Sequence, residues 1–258
     1  MKHNRVKRKL KRGEVSLGTM VFEFDSPGVA RLCELAGAEW VIFDMEHTRF
    51  SMARIGDLMG WSHGCDIVPL VRASSSGELE IRRPMDAGSM GIMVPMVETA
   101  QQAIEIVNAV KYMPAGKRGT AFGIAHDRYE TGDILRTMQS SNRESMIIAQ
   151  IESEKGVENV DEIAAVKEID VVWVGHFDLT QSMGIPGEFT HPKFQAAMDR
   201  VADAARKNGK TAGRLVGTVE EAKTWVDRGY RMLCYSRDTE LLQRALREGL
   251  SEVREHLK

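Results

Sequence analysis

Polar side chains that could hold a metal ion follow two apolar runs of this sequence. Gln150 and Glu152 lie at the end of the run MIIAQI, and Asp178 directly follows the run VVWVGHF. If both runs are parallel strands of one barrel, these side chains meet at one rim, because such strands all end on the same face. Carboxylates with positions left open for water and substrate suit Mg²⁺ or Mn²⁺. The pattern predicts a divalent cation on Glu152 and Asp178, with salt bridges to barrel arginines as the open alternative.

A histidine and an arginine follow two further apolar runs. His47 comes three residues after Asp44, and its ordinary pKa of roughly 6.5 suits proton exchange near neutral pH. Asp44 or Asp86 would orient this general base, and a purely structural histidine is the alternative. Arg72 ends the buried strand predicted within the run IVPLVRA, where an unpaired guanidinium would be costly. It would bind a carboxylate or enolate ligand bidentately, or pair with an internal acid such as Glu46.

Eight apolar, β-rich runs recur along the chain and would position these side chains. They are VSLGTMVF (15–22), WVIFDM (40–45), IVPLVRA (67–73), GIMVPMV (91–97), MIIAQI (146–151), VVWVGHF (171–177), TAGRLVG (211–217) and RMLCYS (231–236). Helical patterns lie between them, so the chain is of the α/β class and we expect one (β/α)8 TIM barrel over residues 1–258. A doubly wound sheet is the alternative, but FEFDSPG after the first run is not the Gly-rich phosphate turn it would want.

Composition restricts the location and partners of the protein. The 258 residues are 43% hydrophobic with a mean hydropathy of −0.28, and no apolar stretch approaches the ~20 residues that span a bilayer. The N-terminus lacks the apolar stretch of a secretory signal, and the three cysteines form no metal or redox pattern. Zinc is therefore a weaker candidate than Mg²⁺ or Mn²⁺. We expect a cytoplasmic protein with no membrane partner.

The N-terminal segment is strongly basic. Residues 1–12 carry seven Lys or Arg and no acid, and such a tail can bind nucleic acid or a membrane surface. Val6 and Leu10 are four apart, however, and would share one face of a short amphipathic helix. We favour the helix and no nucleic-acid partner, because no aromatic-rich basic surface follows.

Lysine is absent from all eight apolar runs. A Schiff-base aldolase needs a buried lysine on a barrel strand. Lys111 and Lys117 lie instead in the spacer 98–145, which is the longest in the chain. This distribution favours metal-assisted enolisation over imine chemistry. The polar part of the spacer, PAGKRGTAFGIAHDRYETGD, is predicted to be an insertion near the active site.

Several motifs together resemble one known family. They are FDSPGVARLCELAGAEWVIFDMEH, VPLVRA, DAGSMGIMVPMV, YMPAGKRG, AQIESEKGVENVDEIAAV and VGHFDLTQSMGIPGEFTHP. In this order they resemble the HpcH/HpaI aldolases, metal-dependent class II pyruvate aldolases of the phosphoenolpyruvate/pyruvate barrel superfamily. The resemblance covers nearly the whole chain.

The resemblance implies a role for each matching residue. His47 would be the base, sensitised by Asp86, which would act across a subunit interface, and Asp44 stands beside His47 in the motif. Arg72 would stabilise the enolate and carbonyl oxygens. The remaining matches would bind the metal or the pyruvate moiety, the latter through a side-chain amide or a backbone N–H. The metal ligands are Glu152 and Asp178, and the pyruvate contacts are Gln150 and the backbone amide of Phe177.

The same resemblance implies a homo-oligomer. Members of the family are commonly hexamers built as dimers of trimers, with the C-terminal helix packed on a neighbouring subunit. That arrangement would cover the apolar face of residues 241–253.

Two stretches depart from the family pattern. His176 replaces the proline of a Gly-Pro-x-Asp-Leu motif, and it would be a packed side chain or an extra acid–base group. The loop 120–133 also differs, so the natural aldehyde does not follow from the family.

The sequence therefore predicts a carbon–carbon lyase that cleaves a 4-hydroxy-2-oxo acid reversibly to pyruvate and an aldehyde. The reaction would pass through a metal-stabilised pyruvate enolate, with Mg²⁺, Mn²⁺ or Co²⁺ as the cation. The alternatives are an oxaloacetate decarboxylase or an enolate-coupling synthase of the same superfamily, and a non-catalytic scaffold barrel.

Overall fold

A closed barrel of eight parallel strands, paired in sequence order from β1 to β8, forms the centre of the molecule. A computed structural model describes residues 3–258. The strands are β1 Ser16–Val21, β2 Trp40–Asp44, β3 Val68–Arg72, β4 Gly91–Val94, β5 Met146–Ile151, β6 Val171–Val174, β7 Thr211–Val216 and β8 Tyr230–Arg237. Seven of the predicted apolar runs each contain one strand, the eighth (231–236) lies within β8, and the predicted TIM barrel is confirmed.

Helices follow or separate the strands and cover the outside of the barrel. They are α1 Arg5–Lys11, α2 Val29–Leu35, α3 Met52–Ser62, α4 Glu78–Asp86, α5 Ala100–Val110, α6 Ile134–Glu144, α7 Glu154–Glu158, α8 Val160–Ala165, α9 His176–Ser182, α10 Pro192–Lys207, α11 Val219–Asp227 and α12 Asp238–His256. No helix within residues 3–258 is long and apolar enough to cross a membrane.

Alternate strand residues point into the barrel and form a packed interior. The rings of Trp40 and Trp173 meet edge to face at its centre, with centroids 6.2 Å apart. Neighbouring strands make room for them with glycine, because a Cβ at Gly18 would collide with Trp40 and one at Gly213 would lie 2.5 Å from Trp173. Interior residues therefore fill the barrel below its mouth.

Helix α1 packs against the N-terminal end of this interior. Val6 and Leu10 are buried with the inward-facing residues of the strands, as their spacing predicted. The basic side chains of the helix pair with acids of the barrel: Lys7 Nζ lies 2.9 Å from Asp170 Oδ2, and Arg8 Nη2 lies 2.7 Å from Glu144 Oε1. Helix α1 is thus held on the N-terminal end of the barrel by apolar packing and ion pairs.

The long spacer between β4 and β5 lies at the N-terminal face, opposite to the face we predicted. Helix α5 returns the chain to that face, and residues 111–133 stay there. Buried Lys111 donates to the Ser145 carbonyl, just before β5 begins. His126 and Arg128 line a small cavity with His63, which follows α3. Within its own chain, the loop is therefore remote from the strand ends that carry the polar residues.

Helix α12 leaves an apolar surface uncovered. None of its residues is buried, and Leu242, Leu246, Leu250 and Val253 are each about half exposed. Between α12 and α2 lies a mainly apolar groove of about 620 Å³. A helix with such a face would pack against another element, because exposed apolar surface of this extent usually marks an interaction site.

Candidate active site

Inward-facing positions become polar where the strands reach the C-terminal mouth. On β2 the inward residues Trp40 and Ile42 are followed by Asp44, and on β3 the last inward residue is Arg72. On β5, Gln150 continues the inward series, and Glu152 follows one step beyond the strand. The alternation of a strand therefore places these predicted residues around one opening.

Arg72 is held by two carboxylates. Its Nε donates to Asp44 Oδ1 at 2.6 Å, and its Nη1 lies 3.0 Å from Glu46 Oε2. The contact between Arg72 Nη1 and Glu46 Oε2 is an ion pair without hydrogen-bond geometry, and Glu46 Oε2 has no hydrogen-bond partner within residues 3–258. Arg72 thus pairs with the internal acid Glu46, as we considered from the sequence, and it also pairs with Asp44.

His47 stands exposed at the rim beside Glu46. Its side chain is 55% exposed, and its Nε2 lies 3.6 Å from Glu46 Oε2. Asp44 does not reach this ring in the way we expected; it accepts hydrogen bonds from the backbone N–H groups of Glu46 and His47 instead. Sequence reasoning treated Glu46 only as a partner for Arg72, although its place next to His47 could have indicated the second contact.

Glu152 is a buried carboxylate at the centre of the site. Its Oε1 accepts the Met96 N–H at 2.7 Å, and its Oε2 accepts the Gln150 amide at 2.5 Å. Burial raises the pKa of Glu152 to about 7, although the two hydrogen bonds lower it. The nearby negative charges of Glu46 and Asp178 raise the pKa further. Three carboxylates therefore repel one another across the mouth.

Asp178 lies in the first turn of α9, which begins directly at the mouth. Gly175 connects β6 to this helix, and a Cβ there would collide with Glu152 Oε2, so Glu152 packs against the start of α9. Phe177 is the second residue of the helix, and its N–H belongs to the first turn, which has no acceptor within a helix. The predicted run 171–177 thus ends as a strand at Val174.

His176 is a packed side chain at this turn. Its ring lies 4.5 Å from that of Phe177 and 5.2 Å from that of Phe189, measured between centroids. Burial, with the charges of Arg214 and Arg237, lowers the pKa of His176 to about 3. The ring is therefore neutral near pH 7, which favours packing over the extra acid–base role.

Glu152, Asp178 and Glu46 fit a divalent cation by their chemistry. Within residues 3–258 no three His, Cys, Asp or Glu side chains already form a coordination group. The site nevertheless offers mutually repelling carboxylates, of which Glu152 and Glu46 both have a raised pKa, and a buried Gln150 Oε1 without a hydrogen-bond partner in the described part of the chain. Oxygen ligands with charge to neutralise suit a hard cation that keeps water or substrate as its remaining ligands.

Asp86 is not part of this mouth within its own chain. It ends α4 at the N-terminal face, where its Oδ1 accepts from Arg118 Nη2 at 2.5 Å. Arg118 is fully buried and packs over Tyr112, with its guanidinium carbon 4.7 Å from the ring centroid. The structure of one chain thus separates Asp86 from His47 by the length of the barrel, and only a neighbouring copy could bring the two together.

Comparison with known proteins finds one family and several relatives that match nearly the whole chain. The family model described as HpcH/HpaI aldolase/citrate lyase matches residues 19–245. A hydroxypyruvate/pyruvate aldolase of Pseudomonas aeruginosa is 32% identical over 247 residues, covering 95% of this chain and 91% of that protein. A 4-hydroxy-2-oxo-heptane-1,7-dioate aldolase of Shigella sonnei is 31% identical over 243 residues, covering 94% and 92%.

A solved structure has the same fold. The crystal structure of an HpcH/HpaI aldolase from Desulfitobacterium hafniense DCB-2 superposes with a TM-score of 0.91 at 32% identity. The match covers 97% of this chain and 96% of that one.

Proposed function

The chain belongs to the HpcH/HpaI aldolase/citrate lyase family, and on that premise we propose that it cleaves 4-hydroxy-2-oxo acids reversibly to pyruvate and an aldehyde. Membership makes it an aldolase-type carbon–carbon lyase; the substrate and the need for a metal are the proposal. The observation that carries it is the buried Arg72 facing the Glu152 carboxylate in one barrel mouth.

We assign the cation to Glu152 and Asp178, with Mg²⁺, Mn²⁺ or Co²⁺ as candidates. When bound, it supplies electrostatic stabilisation of negative charge on the oxygens of the 2-oxo acid. The Gln150 and Met96 hydrogen bonds fix the orientation of the Glu152 carboxylate before any ligand arrives.

Arg72 stabilises the negative charge that develops when the carbon–carbon bond breaks. Its Nε is committed to Asp44, and its Nη1 faces Glu46, so its Nη2 is left to donate to a substrate oxygen. A prepositioned charged donor in a site that excludes water stabilises an enolate by several kcal/mol relative to bulk solvent. Asp44 holds the guanidinium in place and is a positioning residue.

In cleavage, His47 takes the proton from the 4-hydroxyl as the carbon–carbon bond breaks and delivers a proton to C3 of the resulting pyruvate enolate. In condensation it takes a C3 proton from pyruvate and delivers a proton to the new hydroxyl oxygen. Glu46, 3.6 Å from Nε2, stabilises the imidazolium that forms. Gln150 and the Phe177 N–H contact the pyruvate part of the substrate from the floor and from the start of α9.

We also propose a homo-oligomer, a hexamer built as a dimer of trimers. The half-exposed apolar residues of α12 and the groove beside α2 support packing of this helix on a neighbouring subunit. Asp86 would then orient His47 of an adjacent copy rather than of its own chain.

The test is exchange of the C3 protons of pyruvate in D2O. With Mg²⁺ or Mn²⁺ present, we expect the wild type to exchange these protons and His47→Asn to slow the exchange by about 100-fold, within the usual range for general acid–base catalysis. His63→Asn, at the N-terminal face, is the matched control and should exchange normally. Absence of exchange and of aldol cleavage in the wild type would refute the proposal. Release of CO2 from oxaloacetate at a much higher rate than aldol turnover would support the decarboxylase alternative.

A further inference from the structure

A second arginine reaches the same mouth from the end of β8. Arg237 follows Ser236, which has a φ of 57° and so breaks the strand alternation. Arg237 is then the register neighbour of Met20 on β1, after a shift in the β1–β8 pairing. An irregularity of this kind redirects the side chain that follows it. Arg237 is half-buried at the rim, on the side of the barrel where the first and last strands meet.

Arg237 and Arg72 contact the same aromatic ring. The guanidinium carbon of Arg237 lies 5.3 Å from the centroid of the Phe22 ring, and that of Arg72 lies 5.5 Å from the same centroid. Phe22 also packs against the barrel interior. The two guanidinium groups are therefore close enough for one small dicarboxylate to meet both.

Arg237 has unused hydrogen-bonding capacity. Its Nη2 donates to Glu240 Oε1 at 2.6 Å, while its buried Nε has no acceptor within residues 3–258. An exposed ion pair between residues three apart contributes little stability and would not account for a buried, unpartnered donor. A ligand carboxylate approaching the Nε edge of the planar guanidinium would satisfy Nε, and Nη1 is open to a further ligand oxygen.

We propose that Arg237 is a specificity-determining residue that binds a second carboxylate, located on the aldehyde part of the substrate. This inference rests on the proposed function, in which Arg72 serves the pyruvate part. The relatives differ in the substrates that they are named for. The Shigella sonnei relative is named for a 1,7-dioate, and the Pseudomonas aeruginosa relative is named for hydroxypyruvate and pyruvate. With Arg237 in this role, the enzyme prefers aldehyde acceptors that carry an anionic group.

The test compares aldehydes of matched length with and without a carboxylate. Glyoxylate and 4-oxobutanoate are the anionic acceptors, and glycolaldehyde and butanal are their neutral counterparts, each condensed with pyruvate. For Arg237→Gln we expect kcat/KM to fall by about 10- to 100-fold with at least one anionic acceptor, as for loss of a charged hydrogen bond. It should change less than about twofold with the neutral acceptors, and Arg237→Lys should lie between.

Glu240→Gln is the matched control. It removes the ion-pair partner but leaves Arg237 in place, so the preference for anionic acceptors should persist or increase. If Arg237→Gln affects anionic and neutral acceptors equally, or neither, Arg237 does not select the substrate.

A binding measurement separates this inference from the proposed function. Calorimetric titration with glutarate, which cannot react, should show weaker binding to Arg237→Gln than to wild type, whether or not the enzyme turns over. Loss of that difference while pyruvate proton exchange is intact would refute the role of Arg237 alone. Persistence of the difference without proton exchange would refute the proposed function and leave Arg237 as an anion site.

Discussion

Asp44 and Arg72 are register partners on adjacent parallel strands, and their side chains meet in a 2.6 Å hydrogen bond at the mouth of the barrel. Each lies at the last inward position of its strand, so the backbone pairing itself sets their separation. The relative position of Asp44 and Arg72 is therefore as rigid as the barrel strands that carry them.

Arg72→Lys should keep the charge and lose the planar fork. We expect kcat/KM for aldol cleavage to fall by about 100-fold, since one prepositioned donor to a developing oxyanion contributes about this much. Steady-state kinetics with a 4-hydroxy-2-oxo acid would measure it. Asp44→Asn should instead destabilise the protein by about 3 kcal/mol in urea unfolding, because the buried guanidinium then loses the charged partner that accepts its Nε hydrogen bond and keeps only Glu46. Wild-type kinetics for Arg72→Lys would contradict the assignment.

Glu152→Gln and Asp178→Asn should abolish binding of a divalent cation. Each variant removes one of the two predicted charged ligands while keeping the side-chain size, and calorimetric titration with Mn²⁺ would show the loss. Glu154→Gln is the control, because Glu154 lies two residues away and pairs with Lys193 at the surface. Unchanged Mn²⁺ affinity in both ligand variants would exclude this metal site.

Mixing two impaired variants tests the role of Asp86. Asp86→Asn and His47→Asn should each have strongly reduced aldol activity as homo-oligomers. When they are unfolded together and refolded as mixed assemblies, some activity should return, because part of the sites then combine an intact His47 with an intact Asp86 from another chain. No recovery, with mixed assemblies verified by mass spectrometry, would argue against a shared site.

Gly18→Ala should be strongly destabilising. The added methyl would collide with the Trp40 ring inside the barrel, and overpacking of a filled core costs about 1–3 kcal/mol or more. Gly60→Ala provides the contrast, because that glycine lies in α3 with open space around it. There alanine should stabilise the helix by about 0.5–1 kcal/mol. Thermal and urea unfolding of both variants would measure the difference.

Glu144 should make stability depend on acidic pH. Burial alone would raise the pKa of Glu144, but the Asn4 N–H and the side chains of Arg143, His3 and Arg8 outweigh it and lower the pKa to about 2. A depressed carboxylate pKa stabilises the fold at pH values above its unfolded value of about 4.3, and the contribution is lost as pH falls towards 2.

Glu144→Gln should therefore be less stable than wild type at pH 7 by no more than about 3 kcal/mol, since one pKa unit corresponds to about 1.4 kcal/mol. The difference should shrink between pH 5 and pH 2. Urea unfolding across this range would measure it, with Glu255→Gln in the exposed end of α12 as the control. A difference that is independent of pH would contradict the linkage.

The barrel and much of its mouth could be predicted from the sequence because both follow from local patterns. Continuous apolar runs indicated the strands, and strand alternation placed Arg72, Gln150 and Glu152 inside. The position of the 111–133 loop could not be predicted in this way. Its polar composition suits either end of the barrel, and only the docking of α5 and the ion pair of Arg118 with Asp86 fix it at the N-terminal face.

The contacts between side chains were also beyond the sequence. Which carboxylate stands beside the His47 ring depends on the path of the chain after β2. Hydrogen bonds from the backbone N–H groups of Glu46 and His47 to Asp44 turn that path so that Glu46 is the neighbour. Arg237 was missed because an arginine at a strand end looks like a surface residue until the φ of Ser236 is known.

The filled interior leaves the barrel with one open end. Helix α1 and the tryptophan pair obstruct the other, so small molecules enter and depart by the same route. A molecule held against Arg72 lies deeper than one held against Arg237. For the proposed reaction, we therefore expect the aldehyde to depart before pyruvate in cleavage and to arrive after it in condensation.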